Sequence, residues 1–231
     1  MAKRHLKRMA APRTWPIERK KTTFIYRPYP GAHSMHESIS IGTVLKEILH
    51  LAKTNREARK ILYSKQVLVD GKRRKDEHDS IGLFDVLELP DANSRFRIII
   101  NQKGKIDTLS IDKNEAGSKP VRIVKKTLFK GKIQLNLSDG RNILADKDSY
   151  KTGDTLIIEV PSQQIKKHLK LEKKSVIFLT GGKYLGHMGI VEGISGERLM
   201  YKTEDGVTQE TRKDYAFVVG EGKPALSVFK K

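Results

Sequence analysis

The pattern of apolar and polar positions is clearest between Ile41 and Leu89. Ile41, Val44, Leu45, Ile48 and Leu49 recur at i, i+3, i+4, i+7 and i+8, the stripe of a helix lying on a core. Thr54 opens a second helix, because its hydroxyl can cap the backbone three residues on, where Glu57 stands to reach back. Ala58, Ile61 and Leu62 supply the buried side of that helix. Arg56, Arg59, Lys60 and Tyr63 gather on another face, since residues three and four apart are neighbours. The short run Gln66–Val69 then meets Asp70-Gly71, and Lys72–Lys75 follows. Asp-Gly between extended runs is a hairpin signal, because both turn positions want positive φ.

After a short linker, Pro90–Arg95, the period changes to two. Extended runs are predicted at Phe96–Asn101, Ile106–Ile111, Val121–Val124, Ile133–Leu137, Ile143–Ala145 and Thr155–Val160. Gln102–Lys105, Ser138–Arg141 and Gly153-Asp154 supply turns between them. Strands at such spacing predict a small barrel or sandwich. Ser162–Lys174 reads as a polar connector with a helical turn. Val176–Leu179, a glycine-rich loop and a return strand to Val191 come next, and Leu199–Tyr201 and Ala216–Val219 complete a second compact barrel. Residues 1–40 show no period, and Pro12, Pro16, Pro28 and Pro30 interrupt them.

Composition changes this picture in two ways. Only 37% of the 231 residues are hydrophobic and 6% aromatic, so several thin cores are expected rather than one large one. The formal net charge is +19, which points to a polyanionic partner, nucleic acid before membrane. From Met1 to Pro30 nine Lys/Arg face one acid, with Trp15, Phe24, Tyr26 and Tyr29 interleaved. Such an arm is expected to stay loose until a partner orders it, and its aromatics can stack on bases or pin it to its own protein. No run is long enough to span a bilayer, and the charged N-terminus lacks the apolar core of a secretory signal. The absence of cysteine excludes disulfides and thiolate metal sites and fits a reducing cytosol.

Catalytic signatures do not assemble. Gly181-Gly182-Lys183 lacks Walker spacing and a following Ser or Thr. There is no G-x-S-x-G and no cysteine nucleophile. His33 and His36 have no acid or thiol set to complete a metal site, so neither metal nor cofactor is expected.

Two resemblances give these pieces a common meaning. Thr54–Ile61, Val67–Gly71 and Asp85–Leu89 resemble the S-four-type RNA-binding module, whose second helix and hairpin face structured RNA. His5–Arg8, Ala11-Pro12, Trp15, Pro30-Gly31, His33 and Glu37-Ser38 resemble the opening of the archaeal and eukaryotic small-subunit ribosomal protein S4e family. That family tends to carry a proline and two cations where Ala32, Ser34 and His36 stand here. Val176–Val191 resembles a KOW motif, with Tyr184 and His187 where the ribosomal family usually has asparagine and arginine. Arm, module, β domain and KOW segment follow one another in the S4e order.

The resemblance implies an α+β multidomain chain: a basic irregular N-terminal arm (1–40), an αL-type helix–helix–hairpin RNA-binding module (41–92), a central β domain (93–172) and a KOW-containing β-barrel domain (173–231). It implies a non-enzymatic structural constituent of the small ribosomal subunit that binds folded rRNA beside neighbouring ribosomal proteins, in the cytoplasm, with no membrane and no small-molecule substrate. The alternatives are a free RNA-binding or transcription-linked KOW factor, and an RNA-modifying enzyme. A pseudouridine synthase would need a large catalytic domain with its aspartate in an Arg-Leu-Asp context, and this chain has neither. The candidate RNA contacts are Lys3, Arg4, His5, Lys7, Arg8, Arg13 and Trp15 in the arm; Arg56, Arg59, Lys60 and Lys65 on the second helix; Lys72, Arg73, Arg74 and Lys75 in the hairpin; and Lys183 and His187 in the glycine-rich loop.

Overall fold

The computed structural model describes residues 5–146, 148–203 and 206–229. The chain divides into two compact units, Met1–Ile99 with Lys105–Ala116, and Ile100–Gly104 with Gly117–Lys231. Both are built mainly from short antiparallel strands, with few helices.

In the first unit the stripe from Ile41 forms a single α turn, Ile41–Thr43, that runs into a π turn, Val44–Ile48. The Leu49 N–H donates to the Val44 carbonyl at 2.9 Å, five residues back. A stripe spaced for 3.6 residues per turn drifts on this wider winding. Ile41, Val44 and Leu45 are therefore buried, while Ile48 and Leu49 are only half-buried. The second helix is Asn55–Ser64, with Ala58 and Leu62 inside and Ile61 half-buried.

Five strands follow in the order Lys72–Arg73, Leu68–Val69, Val86–Leu89, Ser94–Ile100 and Ile106–Ser110. Asp70 and Gly71 both take positive φ, 49° and 73°, which closes the hairpin in two residues. The expected linker at Pro90 is instead a 3-10 turn, Pro90–Ala92, inside a second hairpin in which Val86 pairs with Arg97 and Leu89 with Ser94. Apart from Ile100, the strands Ser94–Ile100 and Ile106–Ser110 thus fall in the first unit and pair in its sheet, not in the expected central β domain. The reason is ladder pairing: their nearest apolar, hydrogen-bonding edge is the strand just before them.

The arm also departs from expectation. From His5 onward it packs on the first unit. Trp15 is 1% exposed and its Nε1 donates to the Ser38 carbonyl at 2.8 Å. Arg8 is 2% exposed, pairs with Glu47, and donates to the Glu18 carbonyl at 2.8 Å. Leu6–Lys7 pairs with Phe24–Ile25. Arg19 donates to the carbonyls of Ala11 and Pro12 at 2.8 and 2.9 Å, so a proline-broken segment without its own ladder still has its carbonyls satisfied.

The second unit holds two antiparallel sheets. One runs Asn142–Ala145, Lys132–Leu137, Ser118–Phe129, Thr155–Glu159, Ile165–Leu169. The last of these was expected as a connector. Its alternation is masked by Lys166 and Lys167, which point to solvent between Ile165 and Leu169. The other runs Thr208–Arg212, Arg198–Thr203, Met188–Ser195, Ser175–Leu179, Ala216–Glu221, Lys223–Pro224. Leu156 and Ile158 enter one core with Val121, Ile123 and Leu135, while Ile157 enters the other with Leu169, Ile177 and Tyr201. Successive residues of a strand face opposite ways, so one strand serves two thin cores, and its unbroken apolar run is explained.

Asp154 ties this unit together. It is 3% exposed and accepts the N–H of Leu171 at 3.0 Å, the N–H of Lys151 at 3.1 Å and His168 Nε2 at 2.7 Å. Asp154→Ala strands these donors, and loss of one partner of such a buried network costs about 3–5 kcal/mol. The thermal midpoint should fall sharply. Trp15→Ala should likewise cost about 3–5 kcal/mol, read from chemical denaturation of the whole chain.

Candidate nucleic-acid interface

The second helix begins where Thr54 Oγ1 accepts the Glu57 N–H at 3.2 Å. Glu57 reaches back one residue beyond the expected cap and accepts the Lys53 N–H at 2.8 Å. That backbone bond, then the Thr54 hydroxyl, hold its carboxyl below the usual range. With the helix phase set, Ala58 and Leu62 face inward, and Arg56, Arg59, Lys60 and Tyr63 are exposed. Lys65, just past the helix, is exposed too.

Lys72, Arg73 and Lys75 are exposed and Arg74 is half-buried. An Arg73 Nη2 donates to the Tyr63 carbonyl at 3.4 Å, so the hairpin cations lie against the end of the helix. The two sets are brought together. They are not equally available. Arg59 is clamped by Glu77, with Nε at 3.0 Å from Oε1 and Nη2 on the same oxygen. Tyr26 lies behind this pair, donating to the Asn55 carbonyl at 3.2 Å. Burial and the Glu77 carboxylate push its hydroxyl up to about 12.

In the arm, His5, Lys7 and Arg13 are exposed. Lys3 and Arg4 lie outside the described residues. Arg8 and Trp15 leave the candidate set, since a side chain at 1–2% exposure, with the Arg8 Nη atoms on the Glu18 carbonyl and Glu47 and the Trp15 indole on Ser38, cannot meet a phosphate or stack on a base. His33 is likewise occupied: its Nε2 lies 3.1 Å from Asp85, and its ring covers Gly82.

The structure adds residues that periodicity did not single out. Lys46, from the π turn, lines a cleft with His5, Arg59, His78 and the exposed Phe24. The rings of His5 and Phe24 lie 5.7 Å apart. The only sequence signal for Lys46 was its place on the polar side of the first helix, beside Leu45.

In the second unit, Gly182 and Gly186 take φ of 83° and 81°. A Cβ on Gly186 would lie 2.2 Å from the Asn101 carbonyl oxygen, so this turn requires glycine. Gly181 lies flat on Tyr215, whose carbonyl accepts the Thr180 N–H at 2.9 Å. The loop so shaped exposes Lys183, whose Nζ stands 5.5 Å from the Tyr184 ring centre. His187 is half-buried and meets the same ring edge-on at 6.0 Å. No group of His, Cys, Asp and Glu suited to a metal occurs among the described residues.

Comparison with known proteins bears on this surface. Residues 92–165 match the family described as "Ribosomal family S4e", and residues 2–36 match the "RS4NT (NUC023) domain". The chain is 43% identical to the small ribosomal subunit protein eS4 of Methanocaldococcus jannaschii over 240 residues, covering 98% of each. It is 39% identical to the eS4 protein of Methanosphaera stadtmanae over 234 residues, covering 98% of this chain and 96% of that one. The crystal structure of the 30S ribosomal protein S4e from Thermoplasma acidophilum is similar, with a TM-score of 0.70 and 28% identity, over 80% of this chain and 96% of that chain.

The capping geometry and the glycine loop each set a measurable outcome. Thr54→Ala should cost about 1 kcal/mol of stability and raise the Glu57 pKa toward the ordinary carboxylate value, read by NMR titration. A depressed folded pKa stabilises above the unfolded pKa, and that stabilisation is lost as pH falls through the folded one. Part of the stability gap between wild type and variant should therefore close in acid. Gly186→Val should lower the unfolding midpoint of the second unit by several degrees, while Gly193→Ala, with open space at its Cβ and no positive φ, should lower it far less.

Proposed function

The chain belongs to the S4e family of ribosomal proteins, and from that membership we propose that it is a structural constituent of the small ribosomal subunit that binds and holds folded rRNA. The observation that carries this reading is the full-length likeness to eS4 proteins, joined to a cationic surface on the second helix and hairpin. The chain makes no covalent chemistry. Its partners are small-subunit rRNA and neighbouring ribosomal proteins, and its place is the cytoplasmic ribosome.

In this reading the two helical turns, the second helix and the Asp70-Gly71 hairpin act as an S-four-type RNA-binding module. Arg56, Lys60, Lys65, Lys72, Arg73 and Lys75 meet phosphates, and the shape of the folded rRNA supplies specificity. Arg59 acts as a bridge, because its charge is shared with Glu77. His5, Lys7 and Arg13 extend the binding surface from the arm. Val176–Val191 acts as a KOW element, with Lys183 and His187 presented by the glycine-rich loop.

Co-sedimentation with small subunits through a high-salt wash tests the assignment, and a chain found only in the free fraction would overturn it. The surface itself is tested by replacing Arg56, Lys60, Lys72 and Arg73 together with alanine. Arg59 and Arg74 stay, since removing Arg59 would strand the buried Glu77. Thermal stability should hardly change, as exposed substitutions stay within about 0.5 kcal/mol each. Binding to an rRNA fragment should weaken. The slope of log affinity against log salt should flatten by roughly 0.7 to 0.9 for each phosphate no longer neutralised. An unchanged slope would mean that this face points to water.

A further inference from the structure

The hairpin formed by Ser118–Phe129 and Lys132–Leu137 carries a surface that RNA binding does not explain. The first strand is 12 residues long, far longer than the Val121–Val124 run that hydropathy marks. Lys130 and Gly131 close it, both at positive φ. Toward this end the chain exposes large apolar side chains: Leu128 at 80%, Val124 at 53%, Leu144 at 53% and Phe129 at 48%. Register places them on both faces of the finger. Leu128 pairs with Ile133, which pairs with Ala145 on one face; Phe129 pairs with Lys132, and Leu144 with Gln134, on the other. A hairpin that had only to stay soluble would be polar here, and several large apolar side chains exposed on one short hairpin mark an interaction site.

Charge decides what kind of partner fits. The finger region has four lysines, but two are already answered by carboxylates: Lys132 pairs with Asp146 at 2.8 Å, and Lys126 pairs with Asp148. Those aspartates would repel a phosphate backbone. Leu128, the most exposed of these side chains, has no aromatic face for a base, nor have Val124 and Leu144; Phe129 alone does, so aliphatic surface dominates the tip. Lys125 and Lys130 remain exposed, the latter 5.5 Å from the Phe129 ring centre. An apolar tip with a thin cationic margin is complementary to a protein surface, apolar at its centre and acidic at its rim.

We propose that the Leu128-Phe129 end of this hairpin is a protein-docking finger that inserts into an apolar, acid-rimmed groove of a neighbouring ribosomal protein. This rests on the small-subunit reading above. Apolar side chains on both faces suit insertion between walls, and such anchors carry most of an interface's energy.

The test places a photo-reactive benzoylphenylalanine in the full chain at position 128 and irradiates salt-washed small subunits. Co-sedimentation of this chain is read first; if it stays free, the ribosomal reading fails and the finger proposal falls with it. In incorporated chains the expected product is a protein adduct that survives ribonuclease. An adduct to rRNA, or no adduct from a fully incorporated chain, overturns the proposal while leaving the ribosomal reading standing. A second arm uses Leu128→Ser with Phe129→Ser. The free variant should keep the wild-type thermal midpoint and rRNA-fragment affinity, yet be retained on washed subunits roughly tenfold less well. A matching loss of rRNA-fragment affinity would show that the finger binds RNA instead.

Discussion

Buried carboxylates that accept backbone N–H groups are the constraint on which this protein's architecture depends. Among the described residues four aspartates lie at 5% exposure or less, and each closes a turn. Asp70 accepts Val86 N–H at 3.0 Å. Asp85 accepts Gly82 N–H at 2.8 Å and holds His33 at 3.1 Å. Asp139 accepts Arg141 N–H at 3.2 Å and pairs with Lys119 at 3.1 Å. Asp154 does the same for Leu171, Lys151 and His168. A chain this poor in apolar residues must make many turns between short strands, and each turn leaves backbone donors that need partners. A carboxylate satisfies several at once through strong charge-assisted bonds, and a nearby cation or imidazole offsets its desolvation.

The same pairing separates structural cations from those that can serve a polyanion. Arg8, Arg97 and Lys119 are sunk to 2% exposure or less among acids. Burial draws the Arg97 guanidinium below its usual pKa even beside Glu115, which shows how unfavourable its desolvation is. Arg56, Lys60, Lys72 and Arg73 sit on regular elements whose cores lie beneath them, so their charge is directed outward. The net charge of +19 therefore overstates the outward-facing charge, and placement decides which cations contribute to it.

Thin cores also explain why rigidity is assigned to close backbone approaches. Gly186 lies against Asn101, and Gly82 lies under His33. Where packing area is scarce, such approaches hold loops in one shape without requiring much volume. The glycine-rich loop is thereby fixed enough to present Lys183 consistently.

Much of this was legible in the sequence because it is local. The Thr54 cap, the Asp70-Gly71 turn, the exposed face of Arg56 and Lys60, and the two alternating stretches beyond Phe96 all depend on residues a few positions apart, whose spacing directly encodes a period or a turn. What the tertiary structure alone decided is non-local. Arg8 and Trp15 read as RNA contacts until Glu47 and Ser38, more than twenty residues away, enclosed them. Arg59 looked as free as Arg56 until Glu77 claimed it. Ser94–Ile100 read as the start of a new domain until Val86–Leu89 paired with it, and Ile165–Leu169 as a connector until Thr155–Glu159 did the same. Desolvation and pairing are properties of the assembled neighbourhood. An isolated cation, tryptophan or short apolar run carries no mark of which distant segment will cover it.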